Sequence, residues 1–304
     1  MALKRYSETL GSIVEYQQMG GKQLYYSPLR YPGGKGKLVG FMKELIDANE
    51  LRDGLYVEPF AGGAAIAIAL LIDNYVSKVV INDIDKSIFA FWSAVLHQTD
   101  ELCSLIEKAK LDVNTWEQQK LIQADKESAS LLSLGFSTFY LNRVNRSGIL
   151  KGGLIGGKSQ TGKWKMDARF KKQDLINRIK RIAGFRESVH LYNVDAERLV
   201  TEVLPNLPFD ALIYLDPPYI VKGQQLYVNY YEIDDHKRLA STIQREIHKK
   251  WIVTYDDTPE AQELYSNRRK RRYSLNYSAA VKSSSAELMF FSDNLVLPSK
   301  LDLF

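Results

Sequence analysis

The segment YLDPPY, residues 214–219, has the residue types that most directly suggest chemistry, and it ends an apolar run of strand length at 211–215. Two consecutive prolines stop a strand and leave the carbonyls of Asp216 and Pro217 without ladder partners. An amine can donate its two hydrogens to the Asp216 carboxylate and the Pro217 carbonyl, and its lone pair then points toward an electrophile. Tyr219 adds a ring on which a planar base can stack, although Asp-Pro-Pro after a strand is also compatible with an ordinary turn. The predicted catalytic residues are Asp216, Pro217, Pro218 and Tyr219.

A glycine turn lies upstream, in the sequence YVEPFAGGAAIAIAL at residues 56–70. The pattern predicts a strand, a tight turn and an Ala-rich helix, so a small ligand can approach the backbone at the helix N-terminus. Asp83 follows a second predicted strand about 20 residues beyond the turn, where nucleoside-binding sheets place an acid that receives ribose hydroxyls. A nicotinamide enzyme is the alternative, and it is disfavoured because Ala64 follows the two glycines where GxGxxG would require a different spacing.

A third element, RYPGGKGKL at residues 30–38, precedes both of these. Two adjacent glycines followed by Lys35 and Lys37 can form a small anion-receiving loop, because backbone N–H groups and an ammonium then point at one carboxylate or phosphate. The loop is not a Walker motif, which has four residues between its glycines and a Ser or Thr after the Lys.

The elements that must position these residues alternate along the chain. Predicted strands lie at 55–57, 79–81, 189–192, 211–215 and 251–254, with a β-rich tail at 287–292. Predicted helices lie at 64–71, 86–96 and 236–248. This alternation predicts an α/β fold with a doubly wound, Rossmann-like sheet. A chain of 304 residues, 45% of them hydrophobic, can bury one sizeable core and carry a smaller insertion.

About 105 residues separate Asp83 from Val189, more than a crossover between parallel strands requires. The interval predicts an inserted, mostly helical subdomain at 94–186, within a catalytic domain formed by 1–93 and 187–304. Its second part, RSGILKGGLIGGKSQTGKWK, is rich in glycine and predicts a loop or hairpin that approaches a ligand or a backbone closely. A merely flexible surface loop is the alternative.

Positive charge is concentrated in the same interval. Residues 137–186 contain 13 Lys and Arg and two Asp, a net charge of +11, so the remainder of the chain carries −6 of the total of +5. A basic region in a mildly acidic body predicts a polyanionic partner. A solvated helix face is the alternative for this region. A second basic cluster, at 267–272, could also contact phosphates, and a solvated loop explains it about as well.

Other features of the composition exclude several classes of protein. One cysteine cannot form an internal disulfide, and the four histidines have no zinc-site spacing with it, so we expect a reducing, cytoplasmic setting and no metal. No run approaches the roughly 20 apolar residues of a membrane span, and the N-terminus lacks the apolar stretch of a signal peptide. We therefore expect a soluble protein without a membrane partner, monomeric by default.

The order of the motifs resembles the Dam-like family (D12 class, α-ordered) of DNA adenine N6-methyltransferases: Gly-Gly-Lys, EPF-x-G, a strand ending in Asp, an insert and DPPY. The resemblance implies methyl transfer from S-adenosylmethionine to the exocyclic N6 amine of an adenine flipped out of double-stranded DNA. One departure is Ala64, where the family often has a second glycine. The implied cofactor-binding residues are Tyr31, Pro32, Lys35, Glu58, Pro59, Phe60, Gly62, Asp83, Asp195 and Asp216.

Roles within the site are also implied by the resemblance. Lys35 would lie near the methionine carboxylate and Asp83 on the ribose. Asp195 would lie near the adenine of the cofactor, and Asp216 between cofactor and target base. The insert would recognise the target, with basic side chains on phosphates and polar ones on base edges. The implied DNA-binding residues are Arg143, Asn145, Arg146, Lys151, Lys158, Lys163 and Lys165.

Two alternatives stay open at this point. An RNA or protein amino-methyltransferase would recognise the same planar amine, although those groups more often have Asn in place of Asp216 and usually lack a large insert. A catalytically silent DNA-binding protein could keep the fold, although the intact DPPY disfavours it. A cognate restriction endonuclease is a further partner that the resemblance allows.

Overall fold

The computed structural model describes residues 26–30, 35–220, 231–276 and 284–298, and the strands of this part of the chain form one seven-stranded sheet. The strands are β1 (Leu55–Glu58), β2 (Lys78–Asn82), β3 (Val189–Tyr192), β4 (Ala211–Leu215), β5 (Lys250–Asp256), β6 (Arg269–Asn276) and β7 (Ser284–Phe291). Their order across the sheet is β3-β2-β1-β4-β5-β7-β6. The first five of this order are parallel, and β7 is antiparallel to both β5 and β6.

The order of the strands reverses between β1 and β4. From β1 the chain proceeds outward through β2 to β3, and it then returns to the other side of β1 with β4 and β5. β1 and β4 are direct neighbours, with Tyr56 opposite Leu212 and Val57 opposite Ile213. In open α/β sheets, ligands bind outside the carboxyl ends of the strands at such a switch point. The segments that follow β1 and β4 therefore face one crevice.

Helices connect the strands and cover both faces of the sheet. They are α1 (Val39–Ala48), α2 (Ala65–Ile72), α3 (Lys86–His97), α4 (Thr99–Lys108), α5 (Val113–Ala124), α6 (Leu131–Val144), α7 (Lys172–Ala183), the short α8 (Ala196–Arg198), α9 (Ile233–Glu246) and α10 (Pro259–Leu264). A 3-10 turn at Lys35–Leu38 leads directly into α1. Within the described ranges, none of the helices combines the length and the apolar character that a membrane crossing requires.

Side chains of the sequence mark where several of these helices begin. Asp85, Asp112 and Ser130 precede α3, α5 and α6, and each accepts a hydrogen bond from a backbone N–H of the first turn. Thr258 does the same for α10, which begins with Pro259. Such caps satisfy N–H groups that have no partner within the helix, and Pro is favoured at the first helical position because its φ is already helical.

Alternate strand residues belong to two separate apolar clusters, one on each face of the sheet. Tyr56 and Leu212 point into the cluster that includes Phe91 of α3, whereas Val57 and Ile213 point into the opposite cluster. Strands buried on both faces explain why the sequence shows continuous apolar runs there instead of alternation.

The long interval between β2 and β3 contains α3 to α7, so the expected helical character of its first part is confirmed. Its helices contribute Trp116, Phe139 and Ile179 to the same apolar cluster that covers the sheet. Because the interval shares a core with the sheet, no separate core marks its limits, and the division of the chain at 94 and 186 stays a prediction.

The predicted strands are all confirmed, but one strand was missed. The basic cluster at 267–272, which we interpreted as a phosphate-binding or solvated loop, is largely the start of edge strand β6. Four of its arginines and lysines contact protein groups: Arg268 donates to Gln244, Arg269 to the Leu295 carbonyl and Lys270 to Gln262, and Arg272 pairs with Asp257. Charged side chains suit an edge strand, because they oppose pairing with another chain.

Candidate active site

The carboxyl ends of β1, β2 and β3 are joined by one buried side chain, Asn82, the last residue of β2. Its amide nitrogen donates to the carbonyls of Pro59 at 2.9 Å and Val194 at 3.0 Å, and its oxygen accepts from the Val194 N–H. Every polar group of a buried amide needs a partner, and here the partners lie on the two neighbouring segments. Asn82 therefore fixes the rim of the crevice, a role that the sequence analysis did not assign.

The glycine turn after β1 lies against Asp83. Gly62 has a φ of +48° and Ala64 a φ of +44°, both in the left-handed region that favours glycine. The Gly62 N–H donates to Asp83 Oδ2 at 2.9 Å, and its carbonyl accepts from Trp92 Nε1 at 2.9 Å. Ala64 thus adopts the conformation for which the family often has glycine, and the turn forms in spite of that departure.

Two acids of the crevice have pKa values far above their ordinary range. Burial raises the pKa of Asp83 to about 7, although the Asp85 N–H donates to its carboxylate and opposes the rise. Burial raises the pKa of Glu58 to about 8, although its carboxylate accepts the Ala67 N–H at 3.0 Å. Because α2 has no side-chain cap of its own, Glu58 satisfies a backbone N–H of its first turn. The structure therefore gives Glu58, predicted as a cofactor-binding residue, a contact within the protein.

An acid and two aromatic rings line the rim beyond β3. Asp195 begins α8 and accepts the Glu197 N–H at 2.8 Å. Phe60, in the turn after β1, meets the ring of Tyr231 edge-on, with centroids 6.1 Å apart. Burial, followed by the charge of Asp195, raises the pKa of Tyr231. Aromatic rings beside a hydrogen-bond acceptor can receive a planar base.

The Asp216 carboxylate follows β4 and is held by two side chains from other elements. Its Oδ1 accepts from Thr254 Oγ1 at 2.6 Å and lies 3.4 Å from the ammonium of Lys35. Burial raises the pKa of Asp216, the Lys35 charge opposes the rise, and Glu287 adds to it. Both of these contacts involve Oδ1, and the side chain is 21% exposed.

Tyr219 and Lys35 meet in a buried cluster next to Asp216. The Lys35 ammonium donates to Tyr219 Oη at 2.9 Å and to Glu287 Oε2 at 2.5 Å. The Tyr219 hydroxyl donates in turn to Glu287 Oε1 at 2.8 Å. Lys35 thus lies beside the DPPY segment and contacts protein groups, where the resemblance implied a methionine carboxylate.

The two prolines continue the same wall: Pro217 is buried and Pro218 half-buried. The N–H that follows the motif, that of Ile220, donates to Asp256 Oδ1 at 3.2 Å, at the end of β5. The catalytic segment is therefore fixed on both sides by side chains of β5 and β7. Tyr31 and Pro32, which we predicted to bind the cofactor, lie outside the described residues.

A family model described as D12 class N6 adenine-specific DNA methyltransferase matches residues 31–281. The chain belongs to this class of enzyme. The match includes the Gly-Gly-Lys loop, the glycine turn, the insert and DPPY, so the family predicted from the order of the motifs is confirmed, and this D12-class methyltransferase is an adenine-specific DNA methyltransferase.

One curated relative of this methyltransferase is the type II methyltransferase M.MjaIII of Methanocaldococcus jannaschii, 25% identical over 237 residues, which are 70% of this chain and 77% of that protein. Two solved structures resemble the chain more distantly. A candidate RNA methyltransferase of Pyrococcus horikoshii has a TM-score of 0.38 and 9% identity, over 92% of this chain and 94% of its own. A protein of Legionella pneumophila has a TM-score of 0.31 and 11% identity, over 85% and 86% of the two chains.

Five of the seven residues predicted to bind DNA are exposed in this methyltransferase: Arg146, Lys151, Lys158, Lys163 and Lys165. Asn145 is a correction to the prediction. It is fully buried, its oxygen accepts from Trp116 Nε1, and its nitrogen donates to the carbonyls of Ile149 and Leu150. A side chain whose polar groups are all satisfied inside the protein cannot also reach a base edge, so Asn145 shapes the loop that follows it.

Arg143 is also directed inward. Its guanidinium donates to the carbonyl of Arg169 at 2.7 Å and to that of Pro28 at 3.3 Å. These bonds join α6 to the segments on either side of it. Because these bonds hold the guanidinium against the protein, we leave Arg143 out of the proposed DNA surface, and its contact with DNA stays a prediction.

Asn142, the residue before Arg143 on α6, fixes the segment at 26–30. It accepts from the Arg30 N–H and donates to the carbonyls of Arg30 and Gly148. Gly148 has a φ of +77°, and a Cβ there would collide with the Arg30 carbonyl oxygen. Only glycine permits this approach, which explains the Asn and Gly of the segment at 139–148 in structural terms.

The glycine-rich loop is closed by its own side chain, Gln160. The amide nitrogen of Gln160 donates to the carbonyls of Ile155 and Gly157, and its oxygen accepts from the Met166 N–H. Met166 is buried, whereas Trp164 is 67% exposed between two exposed lysines. The loop therefore has a defined form and presents a large aromatic side chain to solvent, a feature that the charge pattern alone did not reveal.

No group of three or more His, Cys, Asp or Glu side chains in the described ranges is placed to bind a metal ion.

Proposed function

We propose that this methyltransferase transfers the methyl group of S-adenosylmethionine to the N6 amine of an adenine that has been flipped out of duplex DNA. The observation that carries the proposal is the position of Asp216. This carboxylate follows β4 at the switch point, next to the glycine turn after β1 and the acid after β2. A methyl acceptor and a nucleoside cofactor can thus meet across one crevice.

The residues of the crevice fit such a cofactor in chemical type. Asp83 can accept ribose hydroxyls, and Asp195 can accept the amine of an adenine ring that lies against Phe60. Ile84, which is 45% exposed beside Asp83, offers an apolar contact. When bound, S-adenosylmethionine would supply an electrophilic methyl group. The turn at Gly62 leaves the backbone accessible, because no side chain projects from it.

Asp216 acts on the target amine by orientation and by charge. Its Oδ2 and the Pro217 carbonyl accept the two amine hydrogens, so that the nitrogen lone pair points to the methyl group. The carboxylate then stabilises the positive charge that develops on nitrogen during transfer. A carboxylate is far too weak a base to remove a proton from the neutral amine, so the proton leaves after the methyl group has arrived.

The DNA surface we propose consists of Arg146, Lys151, Lys158, Lys163 and Lys165, with Trp164 among them. Exposed lysines bind phosphates without reading sequence. An exposed indole can stack on a base or occupy the space that a flipped base leaves, and such stacking is worth about 1–3 kcal/mol. A cognate restriction endonuclease and a monomeric state remain predictions of the sequence.

Asp83→Asn is expected to weaken S-adenosylmethionine binding by about 10- to 100-fold, because hydrogen bonds to a charged acceptor contribute about 1.5–3 kcal/mol. Isothermal titration calorimetry at pH 8 measures the affinity above the pKa of about 7 that burial gives Asp83. For the same reason, the affinity of the wild-type protein should fall as the pH drops below 7. Asp234→Asn, on the exposed side of α9, is the control. Equal affinity of Asp83→Asn and wild type at pH 8 would remove Asp83 from the cofactor site.

Trp164→Ala and the double variant Lys163→Ala/Lys165→Ala separate the two parts of the DNA surface. Loss of the indole should reduce affinity for a duplex by about 10- to 100-fold and leave the salt dependence unchanged, because stacking releases no counterions. Loss of both lysines should lower the slope of log K against log salt by about 2. Fluorescence anisotropy between 50 and 200 mM salt measures both, with Lys237→Ala of α9 as the control. If the double variant keeps the wild-type slope of log K against log salt, Lys163 and Lys165 do not contact DNA phosphates.

A further inference from the structure

A buried carboxylate on β7 connects the groups of the catalytic cluster. We propose that Glu287 is the positioning residue of this enzyme, which fixes Lys35 and Tyr219 against Asp216. The inference rests on the proposed role of Asp216 in methyl transfer. It assigns a function to the C-terminal hairpin of β6 and β7, which carries no motif of the kind found at DPPY.

Glu287 is 1% exposed and accepts hydrogen bonds from side chains of three different elements. Lys35 donates to its Oε2 at 2.5 Å, Tyr273 of β6 donates to the same oxygen at 2.5 Å, and Tyr219 donates to Oε1 at 2.8 Å. A carboxylate removed from water is tolerated only when it is paired and hydrogen-bonded. The three donors offset the cost of burying the Glu287 carboxylate. In return, the carboxylate fixes the positions of the three donor side chains.

The direction of the Lys35 ammonium follows from this arrangement. An ammonium has three N–H donors, and here they face Glu287, Tyr219 and, at 3.4 Å, Asp216. The shorter distance is the one to Glu287, so Lys35 is held mainly by that residue and makes a longer contact with Asp216. Without the charge of Glu287, Asp216 would be the nearest anion in the cluster, and Lys35 would move toward it.

Such a movement would harm the reaction in two ways. A closer Lys35 would compete with the target amine for the Asp216 carboxylate. It would also break the hydrogen bond from Lys35 to the Tyr219 hydroxyl, which lies at the wall of the catalytic pocket. Charge-assisted hydrogen bonds are about twice as strong as neutral ones, so the carboxylate is needed and not merely a side chain of that size.

The strand register places Glu287 where it can act. Glu287 lies opposite Asp256 of β5 on one side and opposite Tyr273 of β6 on the other. Asp256 accepts the Ile220 N–H, and Thr254 on the same face of β5 donates to Asp216. The antiparallel edge of the sheet thus holds both ends of the DPPY segment, and Glu287 extends that support to the Gly-Gly-Lys loop.

Glu287→Gln is the central test, since it preserves size and removes the charge. We expect kcat to fall by about 10- to 100-fold, with the dissociation constants of S-adenosylmethionine and of DNA within about twofold of wild type. The acidic limb of the kcat profile should also move to lower pH, because the charge of Glu287 helps to raise the Asp216 pKa. Glu287→Asp restores the charge and should return the limb toward its wild-type position, with an intermediate kcat.

Other groups around Asp216 stay unchanged in these variants, so a shift of the acidic limb of the kcat–pH profile can be attributed to the change at position 287. Besides Glu287, Lys35 influences the pKa of Asp216, and the charge of Asp216 in turn raises the pKa of five described groups: Tyr56, Glu58, Tyr214, Tyr255 and Tyr273. Glu263→Gln, on the exposed side of α10, is the control and should leave kcat and the profile unchanged.

The outcomes separate this inference from the proposed function. A wild-type kcat and profile in Glu287→Gln, in a preparation that methylates DNA, would overturn the inference alone. If a thermal melt shows that Glu287→Gln does not fold, Tyr273→Phe takes its place. This variant keeps the charge of Glu287 and should lower kcat severalfold without moving the acidic limb of the kcat–pH profile. A wild-type kcat in Tyr273→Phe would overturn the inference. Wild-type protein that binds S-adenosylmethionine but methylates no DNA would contradict the proposed function instead.

Discussion

Asp216→Ala is expected to lower the rate of methyl transfer by about 10³-fold, because removal of one group that stabilises transition-state charge in a buried site costs on that order. The variant loses both the acceptor of an amine hydrogen and the negative charge that faces the developing positive nitrogen. Single-turnover transfer of a radiolabelled methyl group to duplex DNA measures the step directly. Binding of S-adenosylmethionine should change little, since Asp83, Asp195 and the glycine turn stay in place.

The control for this variant is Asp234→Ala, which removes an exposed aspartate of α9. Asp216→Asn adds a graded comparison: it keeps an acceptor but not the charge, so its rate should lie between those of wild type and Asp216→Ala. An Asp216→Ala protein with a rate near that of wild type would show that another group orients the amine.

Glu58→Gln is expected to make the stability of the protein less dependent on pH. Burial raises the pKa of Glu58 to about 8 in the folded state, from an ordinary value of 4.5. Between these two values the unfolded chain loses the proton and the folded protein keeps it, so a rising pH favours unfolding. Over about 3.5 pKa units this effect is on the order of 5 kcal/mol, and it is absent from the variant because a glutamine at position 58 does not titrate.

Urea unfolding at pH 5, 6, 7 and 8 measures the effect. The unfolding free energy of Glu58→Gln minus that of wild type should rise steadily across this series, because the variant keeps an amide oxygen for the Ala67 N–H. Glu44→Gln, on the exposed side of α1, should show no such trend. Parallel pH dependences of Glu58→Gln and wild type would mean that Glu58 ionises in the folded protein near its ordinary pKa.

Much of the fold could be predicted because the apolar runs of the strands and the residues that end them are clear in the sequence. Apolar runs such as 211–215 are buried on both faces of the sheet, and Gly or Pro marks where the runs at Glu58 and Leu215 end. Strand β6 was missed because its first four residues are Arg, Lys, Arg and Arg. Charged residues are tolerated in an edge strand, but they do not show the alternation of apolar and polar residues by which a strand is predicted from sequence.

The candidate site could be predicted where one short motif carries the chemistry, as at Asp216 and Asp83. It could not be predicted where a role depends on distant contacts. Asn82 and Glu287 act through partners that the sheet brings together, and the sequence shows only a polar residue at a strand end and a glutamate within an apolar strand. A buried charge in such a run is a signal worth following, since it requires a partner.

Asn145 illustrates the opposite error. It stands in a basic, Asn-rich segment, and the resemblance to the family implied a contact with DNA, whereas the structure directs it to Trp116 and to the carbonyls of the next turn. The composition of a segment can predict that the region binds DNA, but whether a given residue can contact DNA depends on its exposure in the folded protein. Trp164 is a second example, because nothing in the sequence distinguishes this exposed tryptophan from one that is buried in the core.

The most direct test of the account is the product itself. Purified protein would be incubated with S-adenosylmethionine and either unmethylated duplex DNA or RNA, and the nucleosides would be analysed by mass spectrometry. The account predicts N6-methyladenine in the DNA, and none with Asp216→Ala. Methylated adenine in RNA alone, or no product from a protein that binds S-adenosylmethionine, would contradict it.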